Sequence, residues 1–293
     1  MASASLPAPS RHVIDCTLGY ELDGECDFIF MIHAADVPGQ RVIDESLVIT
    51  PTLAHRTHTD VRSGNRFLRL HAPAGPLTVR YRAQVELNPP ARDVMAVEMP
   101  IDALPDDVLH NLMPTRYCES DLLGSAAAKM FGTLPPGYAR VQAITDWIHE
   151  HIEYRLGSTT ATTTSRDVFV QRAGVCRDFA HLGVTFCRAL NIPARLVCGY
   201  TRFDDPPPDF HAVFEAWLGG QWMLFDPTGL VPIDRLIRVA TGRDAKDVAF
   251  ATIFGPARMT QIAPEVEPVT ARDLAGDARS NGSPASSGVA VAA

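Results

Sequence analysis

Apolar and polar residues alternate along five short segments in the first third of the chain. In the earliest, HVIDCTLGYEL, every second residue from His12 to Leu18 would face the same side of a strand. The other four segments are DFIFMIHAADV, RVIDESLVIT, NRFLRLHA and LTVRYRAQVEL, and turn residues such as Asp23-Gly24 separate them. Alternating strands at this spacing are typical of antiparallel sandwiches. We therefore predict an all-β, immunoglobulin-like sandwich over residues 11–100.

Helical periodicity replaces this alternation further along the chain. Residues 101–134 are predicted to form a helical connector that Pro114 interrupts. In the segment after it, apolar residues recur at the spacing of one helix face, namely Val141, Ile144, Ile148 and Ile152. A second buried helix is predicted from Cys176 to Leu190, and Pro193 marks its end.

Three strand-like segments follow the second helix, and they are ARLVCGYTRF, HAVFEAWL and QWMLFDP. A helix followed by a run of strands is an α+β arrangement, unlike the alternation that builds a parallel sheet. We assign this second domain to residues 135–262. Residues 1–10 and the Ala-, Ser-, Gly- and Pro-rich residues 263–293 lack periodicity, so we predict that both ends are disordered.

The composition is that of a globular protein, with 293 residues of which 46% are hydrophobic. The net charge of −8 argues against a nucleic-acid partner, whose phosphates would have to be neutralised by positive charge. No apolar run approaches the ~20 residues of a membrane-spanning helix, so we expect no membrane partner. The N-terminal residues lack the pattern of a secretory signal, and the six cysteines include no CxxC pair. These features predict a cytoplasmic protein with reduced thiols.

Cys176 is the first candidate for chemistry because it would open the second buried helix. The positive end of a helix dipole favours the thiolate, which is the nucleophilic form of cysteine. Gly174 would let the backbone approach closely, so that the Cys176 amide could stabilise an oxyanion. From position alone, an inert core cysteine at a helix start explains the residue equally well.

His211 and Asp226 are connected by the geometry of a predicted hairpin. A two-residue loop at Gly219-Gly220 fixes the register and makes His211 and Asp226 diagonal neighbours on one face, roughly 5–8 Å apart at the backbone. The carboxylate could then bind one imidazole nitrogen and leave the other for a thiol. For either residue alone, a strand-end or turn role is the more common explanation. Their joint geometry beside a helix-opening cysteine favours a catalytic site.

Several polar residues near Cys176 are weaker candidates for a catalytic base. His181 lies about 140° around the helix from Cys176, so it cannot easily face the thiol. We predict that Arg177, Asp178 and His181 support the site or cap the helix. Glu215 shares the strand face of the predicted histidine and could line the cleft, but we expect it to be a solvated strand charge.

Four segments resemble the bacterial transglutaminase-like superfamily, and they are residues 174–181 (GVCRDFAH), 187–195 (CRALNIPAR), 210–217 (FHAVFEAW) and 222–228 (WMLFDPT). The resemblance extends over about residues 135–250, and the predicted sandwich looks like the domain that often precedes this core. It implies a papain-like core in which a helix bearing the cysteine packs on an antiparallel sheet bearing the histidine and the aspartate.

Carried over residue by residue, the resemblance implies that Cys176 is the nucleophile. His211 would be the base and then the acid, and Asp226 the carboxylate that orients it. For the second oxyanion donor, Tyr154 and Gln171 are both candidates, and the spacing does not decide between them. No calcium-binding loop of the EF-hand type is present, so we expect no metal and no cofactor.

Members of this superfamily include crosslinking enzymes, proteases, deamidases and glycan-removing amidases, and some have lost activity. We expect a cysteine protease or amidase that acts on peptide or isopeptide bonds of a protein or peptide substrate through a thioester. A protein-glutamine gamma-glutamyltransferase, which crosslinks proteins, is the alternative, and competition between an amine and water for the acyl group would separate the two.

Two further hypotheses come from other classes of protein. A non-catalytic peptide-binding module is disfavoured because such a module would not need all three predicted catalytic residues. A zinc site built from Cys176, His211 and Asp226 is disfavoured because the ligands form no compact motif. A further hypothesis is that the loop Pro206-Pro207-Pro208, which precedes the histidine, gates the cleft.

Overall fold

The computed structural model describes residues 9–202, residue 207 and residues 209–269. The first strands along the chain are β1 (Ser10–Leu22), β2 (Cys26–Phe30), β3 (Gln40–Thr50), β4 (His55–Thr59), β5 (Arg66–Ala72) and β6 (Gly75–Leu87). The later strands are β7 (Glu153–Tyr154), β8 (Ala173–Gly174), β9 (Ala194–Tyr200), β10 (His211–Leu218), β11 (Gln221–Phe225), β12 (Ile237–Gly242), β13 (Ala251–Phe254) and β14 (Ala257–Pro268). The helices are α1 (Gly124–Phe131), α2 (Tyr138–His151), α3 (Ser165–Gln171), α4 (Cys176–Ala189) and α5 (Ala245–Val248). Short 3₁₀ turns lie at Ile101–Ala103, Leu109–Leu112 and Ile233–Arg235.

Two antiparallel sheets form the predicted sandwich. Their strand orders are β14-β1-β6-β3 and β13-β2-β5-β4. In β1 the even-numbered residues from His12 to Leu18 are buried and the odd-numbered ones between them are not, as the alternation predicts. Alternate side chains thus fill the space between the sheets. The sequence missed β4, whose five residues are all exposed, because an edge strand with polar residues on both faces has no alternation to detect.

The chain returns to the sandwich after the second domain. Strand β13 pairs with β2, and β14 pairs with β1, so that each sheet gains one C-terminal strand. The prediction of disorder is therefore wrong for residues 263–268, and the second domain does not extend to residue 262. The pairing joins segments far apart in sequence, and Pro264, which lies opposite Cys16, is tolerated because β14 is an edge strand. Residues 1–8 and 270–293, where we also predicted disorder, lie outside the described residues.

The connector over residues 101–134 is less helical than predicted. Its helices are α1 and two 3₁₀ turns of three and four residues. Pro105 and Pro114 both lie in this segment, and proline removes a backbone donor and disfavours helix in the residue before it. The prediction for the next helix is confirmed, since the four apolar residues of its predicted face are all buried.

The second domain is a four-stranded antiparallel sheet of order β11-β10-β9-β12, with α4 packed on one face. Gly183 of α4 lies against Phe214 of β10 so closely that a Cβ atom at Gly183 would be 2.5 Å from the ring. Phe214 in turn stacks on Phe225 of β11 at 5.5 Å between ring centroids. This close approach explains why α4 sits directly on the sheet, with every residue from Asp178 to Arg188 buried.

Two buried side-chain amides of the sandwich hydrogen-bond to β12, an edge strand of the sheet in the second domain. Gln40 accepts from the backbone N–H of Arg238 at 2.7 Å and donates to its carbonyl at 2.9 Å. Asn65 makes the same two contacts with Thr241, each at 2.9 Å. Amide side chains therefore replace a neighbouring strand, and the edge is covered rather than exposed.

Among the described residues, no helix has the length and apolar character needed to cross a membrane.

Candidate active site

Cys176 begins α4, and a local hydrogen bond fixes the helix start. The Asp178 carboxylate accepts from the backbone N–H of Val175 at 3.0 Å. A Cβ atom at Gly174 would lie 2.8 Å from the Cβ atom of Asp178, so glycine is needed for the carboxylate to fold back. The helix start, and with it the position of the thiol, is therefore set by this short turn.

Arg177 neutralises the buried carboxylate of Asp178. Its guanidinium donates to Asp178 Oδ1 at 3.1 and 2.8 Å and to the carbonyl of Thr160 at 2.9 Å. The Asp178 side chain is only 1% exposed, so an unpaired charge there would be costly. These contacts give both residues a structural part in holding the helix start.

His181 of α4 is fully buried. Its Nε2 atom accepts a hydrogen bond from the backbone N–H of Ala245 at 3.0 Å, and its ring stacks on Tyr117 at 5.3 Å. Burial lowers the pKa of His181 to about 3, so the ring is neutral. The residue connects α4 to α5 and to the connector.

His211 and Asp226 form a buried pair. The Nε2 atom of His211 lies 2.9 Å from Oδ2 of Asp226, and the two side chains are 0% and 4% exposed. Strands β10 and β11 pair Leu218 with Gln221 across the Gly219-Gly220 turn, which is the predicted register. Both glycines have positive φ angles, 58° and 82°, as a tight hairpin of this type requires.

Thr228 completes the environment of the Asp226 carboxylate. Its backbone N–H and its hydroxyl donate to Oδ1 of Asp226 at 2.9 and 2.7 Å, while Oδ2 binds His211. No role of its own was predicted for Thr228 from the sequence. The Asp-Pro-Thr spacing could have indicated the contact, since an Asp side chain commonly binds the backbone two residues on.

The ring of His211 also interacts with the thiol of Cys176. Burial opposes charging of the ring, but hydrogen bonds to Asp226 and Cys176 and their negative charges outweigh burial and raise the pKa of His211 to about 9. Because Nε2 is held by Asp226, Nδ1 is the ring nitrogen that can serve the thiol. The arrangement can support a thiolate beside an imidazolium, which is the reactive form of a cysteine–histidine pair.

Tyr154 is brought beside Cys176 by a two-residue parallel pairing of β7 with β8, in which Tyr154 lies opposite Gly174. Burial and the neighbouring Cys176 thiol raise the pKa of Tyr154 above its usual range, while the Cys176 backbone N–H has the opposite effect. The tyrosine therefore keeps its proton and can donate. Gln171 lies exposed at the end of α3 and makes no side-chain hydrogen bond within the described part of the chain. Of the two candidate oxyanion donors, the structure brings only Tyr154 to the thiol.

Two family models match the chain over both of its domains. The model of the transglutaminase-like superfamily matches residues 124–227, and the model of the bacterial transglutaminase N-terminal domain matches residues 11–97. A solved structure of a candidate cysteine protease from Cytophaga hutchinsonii is 40% identical, with a TM-score of 0.85 over 90% of this chain and 92% of that one. The chain belongs to the transglutaminase-like superfamily. This membership confirms the α+β class, with the bacterial N-terminal domain in front of the core.

Relatives of this transglutaminase-like chain occur in mycobacteria. An uncharacterized protein of Mycobacterium leprae is 33% identical over 194 residues, which are 61% of this chain and 68% of that protein. An uncharacterized protein of Mycobacterium tuberculosis is 28% identical over 246 residues, which are 71% of this chain and 75% of that protein. The similarity therefore spans most of each relative.

In this transglutaminase-like chain Cys176 is partly exposed, whereas the other five cysteines are buried core residues. These five are Cys16, Cys26, Cys118, Cys187 and Cys198. Burial raises the pKa of each of these five thiols, to about 12 for Cys16 and Cys118. They are therefore poor nucleophiles at neutral pH.

The structure contradicts the prediction that Glu215 is a solvated strand charge. Its side chain is 1% exposed and lies between Arg195 of β9, at 2.8 Å, and Arg238 of β12. Burial alone would raise the pKa of Glu215, but the charges of Arg238 and Arg195 lower it, so the carboxylate is ionised. The sequence offered no sign of this because β12 was not recognised as a strand.

Within the described residues, no group of three or more His, Cys, Asp or Glu side chains is arranged to hold a metal ion. The hydrogen bond between His211 and Asp226 fits an orienting role for the aspartate better than a shared ligand set. The proposed gating loop at 206–208 lies outside the described residues except for Pro207, which is exposed.

Proposed function

We propose that this chain is a cysteine hydrolase, a protease or amidase, that cleaves peptide or isopeptide bonds through a thioester on Cys176. The observation that carries the proposal is the contact of His211 with both Cys176 and Asp226, with a 2.9 Å hydrogen bond to the aspartate. The 40% identity with a candidate cysteine protease supports hydrolysis as the outcome. Its substrate would be a protein or peptide, and we place the enzyme in the cytoplasm.

The first half of the reaction would transfer an acyl group to the enzyme. The Cys176 thiolate attacks the amide carbonyl carbon, and the C=O electron pair moves onto oxygen to give a tetrahedral oxyanion. When this collapses, the C–N bond breaks and protonated His211 gives its proton to the departing nitrogen, which leaves as an amine or ammonia. A thioester and a neutral His211 remain.

The second half would return the enzyme to its starting state. Neutral His211 takes a proton from water while the water oxygen attacks the thioester, and the C–S bond breaks to release a carboxylic acid and the thiolate. Asp226 binds Nε2 in both halves and keeps Nδ1 directed at the reacting atoms. If an amine replaced water, the same thioester would give a new amide bond.

The oxyanion would lie between the backbone N–H of Cys176 and the hydroxyl of Tyr154. The first N–H groups of a helix have no acceptor inside the helix, so the Cys176 amide is suited to this part. The proximity of Tyr154 to both the thiol and the amide of Cys176 supports the tyrosine as the second donor.

The experiment uses a proteome-derived peptide library, so that no substrate needs to be known beforehand. Peptides are incubated with the protein in the presence of a dansylated primary amine, and mass spectrometry counts new termini, deamidated side chains and amine-tagged glutamines. We expect new termini or deamidated side chains with wild type and with Cys26→Ala, a cysteine control in the sandwich, and none with Cys176→Ala. Amine tags in excess of hydrolysis products would indicate a crosslinking enzyme instead. Equal product from Cys176→Ala and wild type would contradict the proposal.

A further inference from the structure

A cavity of about 820 Å³ lies between the sandwich and the sheet of the second domain. Phe214 of β10 faces α4, so its neighbour Glu215 faces the other side of the sheet, where it lines this cavity. Its apolar walls include Pro38, Pro89, Pro90, Trp222, Leu224 and Leu236. The volume is within the roughly 300–1,000 Å³ of small-molecule sites.

The cavity is separate from the candidate active site. Its lining, drawn from the part of the chain that the structure describes, does not include Cys176, Tyr154, His211 or Asp226. The sandwich contributes one side of it through the segments around Gly39 and Pro90.

The polar part of the lining has an excess of positive charge. It contains Arg92, Arg195 and Arg238 against Glu215 and Asp234, a net charge of +1 in a chain whose net charge is −8. Arg195 and Arg238 share the single buried carboxylate of Glu215 and are each about one quarter exposed, 24% and 25%. Both arginines line this concave, largely apolar space.

The two arginines keep donors that the protein does not use. A guanidinium carries five N–H groups, and Arg195 donates through Nε and Arg238 pairs through Nη2, both to Glu215. Their other guanidinium N–H groups have no acceptor among the described residues. Arg195 also lies over the Trp222 ring at 4.1 Å, which holds its guanidinium plane in place. Donors that are fixed in advance bind an acceptor with little loss of freedom.

We propose that this cavity is a second ligand site that binds a carboxylate carried on an apolar chain. The carboxylate would accept N–H hydrogen bonds from Arg195 and Arg238. A carboxylate is planar, and guanidinium groups match this geometry well. The chain would lie against Trp222, Leu224 and Leu236 and bury apolar surface. The proposal does not depend on the reaction proposed for Cys176.

The first test is calorimetric titration of the full chain with three probes. Octanoate has both the charge and the chain, 1-octanol lacks the charge, and acetate lacks the chain. We expect one octanoate per chain, bound at least tenfold more tightly than either of the other two. Equal binding of octanoate and 1-octanol would overturn the anion site, and acetate binding as tightly as octanoate would overturn the role of the apolar walls.

A pair of matched tryptophan variants locates the binding. Val94 lines the cavity and is 58% exposed, which puts it at the opening, so Val94→Trp should block entry and weaken octanoate binding at least tenfold. Val48 of β3 is 57% exposed and is not part of the lining, so Val48→Trp should bind octanoate as wild type does. Unchanged binding by Val94→Trp would place the ligand elsewhere and overturn the proposal.

Charge variants with opposite expected effects exclude a merely structural explanation. Glu215→Gln removes the competing carboxylate and should tighten octanoate binding several-fold, whereas Arg238→Gln should weaken it about tenfold. Damage to the fold would weaken binding in both, so weakening in both, with wild-type circular dichroism spectra, contradicts the assigned role of these charges. If either variant does not fold, the tryptophan pair decides the question alone.

Discussion

Replacing Asp226 by asparagine tests the electrostatics of the candidate active site while keeping the size of the side chain. In the wild-type protein Asp226 contributes a hydrogen bond and a negative charge to the raised pKa of His211, and both depend on the carboxylate. Burial lowers the pKa of a histidine, and in the asparagine variant only Cys176 would oppose this effect on His211. We therefore expect the pKa of His211 to fall from about 9 towards its ordinary 6.5 or below.

The magnitude follows from the pKa itself. A rise from 6.5 to about 9 corresponds to about 3 kcal/mol in favour of the charged ring. Because the pKa is raised in the folded protein, protonation of His211 stabilises the fold fully below pH 6.5, and this stabilisation is lost as the pH rises through about 9. Asp226→Asn should remove a large part of this stabilisation and lower kcat/KM about 10²–10⁴-fold, since the carboxylate that orients His211 and favours its protonated form is gone.

The assay is a pH titration of ¹⁵N-labelled histidine rings by NMR, with the His211 signals assigned by their absence in His211→Gln. Asp27→Asn serves as the matched control, because it removes a carboxylate 3.0 Å from the exposed His71 in the sandwich and should leave the titration of His211 unchanged. A His211 midpoint that is the same in wild type and Asp226→Asn would refute the reasoning. So would a wild-type midpoint below 6.5.

Three further predictions concern packing, a buried charge and the oxyanion. Gly183→Ala should lower the free energy of unfolding by about 1–3 kcal/mol in urea denaturation, since the new Cβ would meet Phe214, whereas Gly124→Ala in α1 meets nothing within 4 Å and should not destabilise. Glu215→Ala leaves two guanidinium groups without their carboxylate and should cost about 3–5 kcal/mol in the same assay. Tyr154→Phe should lower kcat about 10²–10³-fold with little change in KM, and wild-type kcat would exclude it as an oxyanion donor.

The features that sequence predicted are those encoded by neighbouring residues. The hairpin register follows from two glycines that can adopt positive φ angles, and it is enough to bring His211 and Asp226 together. The helix that starts at Cys176 follows from apolar residues at helical spacing and from a proline that ends it. Local conformational preferences determine both elements, so a short stretch of chain contains the information.

The features that sequence missed depend on contacts between distant segments. Strand β14 pairs with β1 across more than 200 residues, and its own residues carry only a weak alternation. Tyr154 was a candidate from the sequence, but the choice between it and Gln171 stayed open because Tyr154 reaches Cys176 through a two-residue strand pair that is too short to leave a pattern. Glu215 is buried only because β12 supplies Arg238, and a charged residue in an isolated strand looks solvated. In each case the partner segment, rather than the residue itself, determines the environment.

The central claim is that His211 activates the thiol of Cys176, and the rate of iodoacetamide labelling tests it most directly. The Val61→Cys variant supplies an exposed reference thiol on the same chain, since Val61 is 96% exposed. Mass spectrometry then compares labelling of the two thiols at pH 6 to 7, with and without His211→Ala. We predict that Cys176 labels faster than the reference, and that His211→Ala reduces its rate to that of the reference or below. Labelling of Cys176 no faster than the reference, with no change in His211→Ala, would contradict the account.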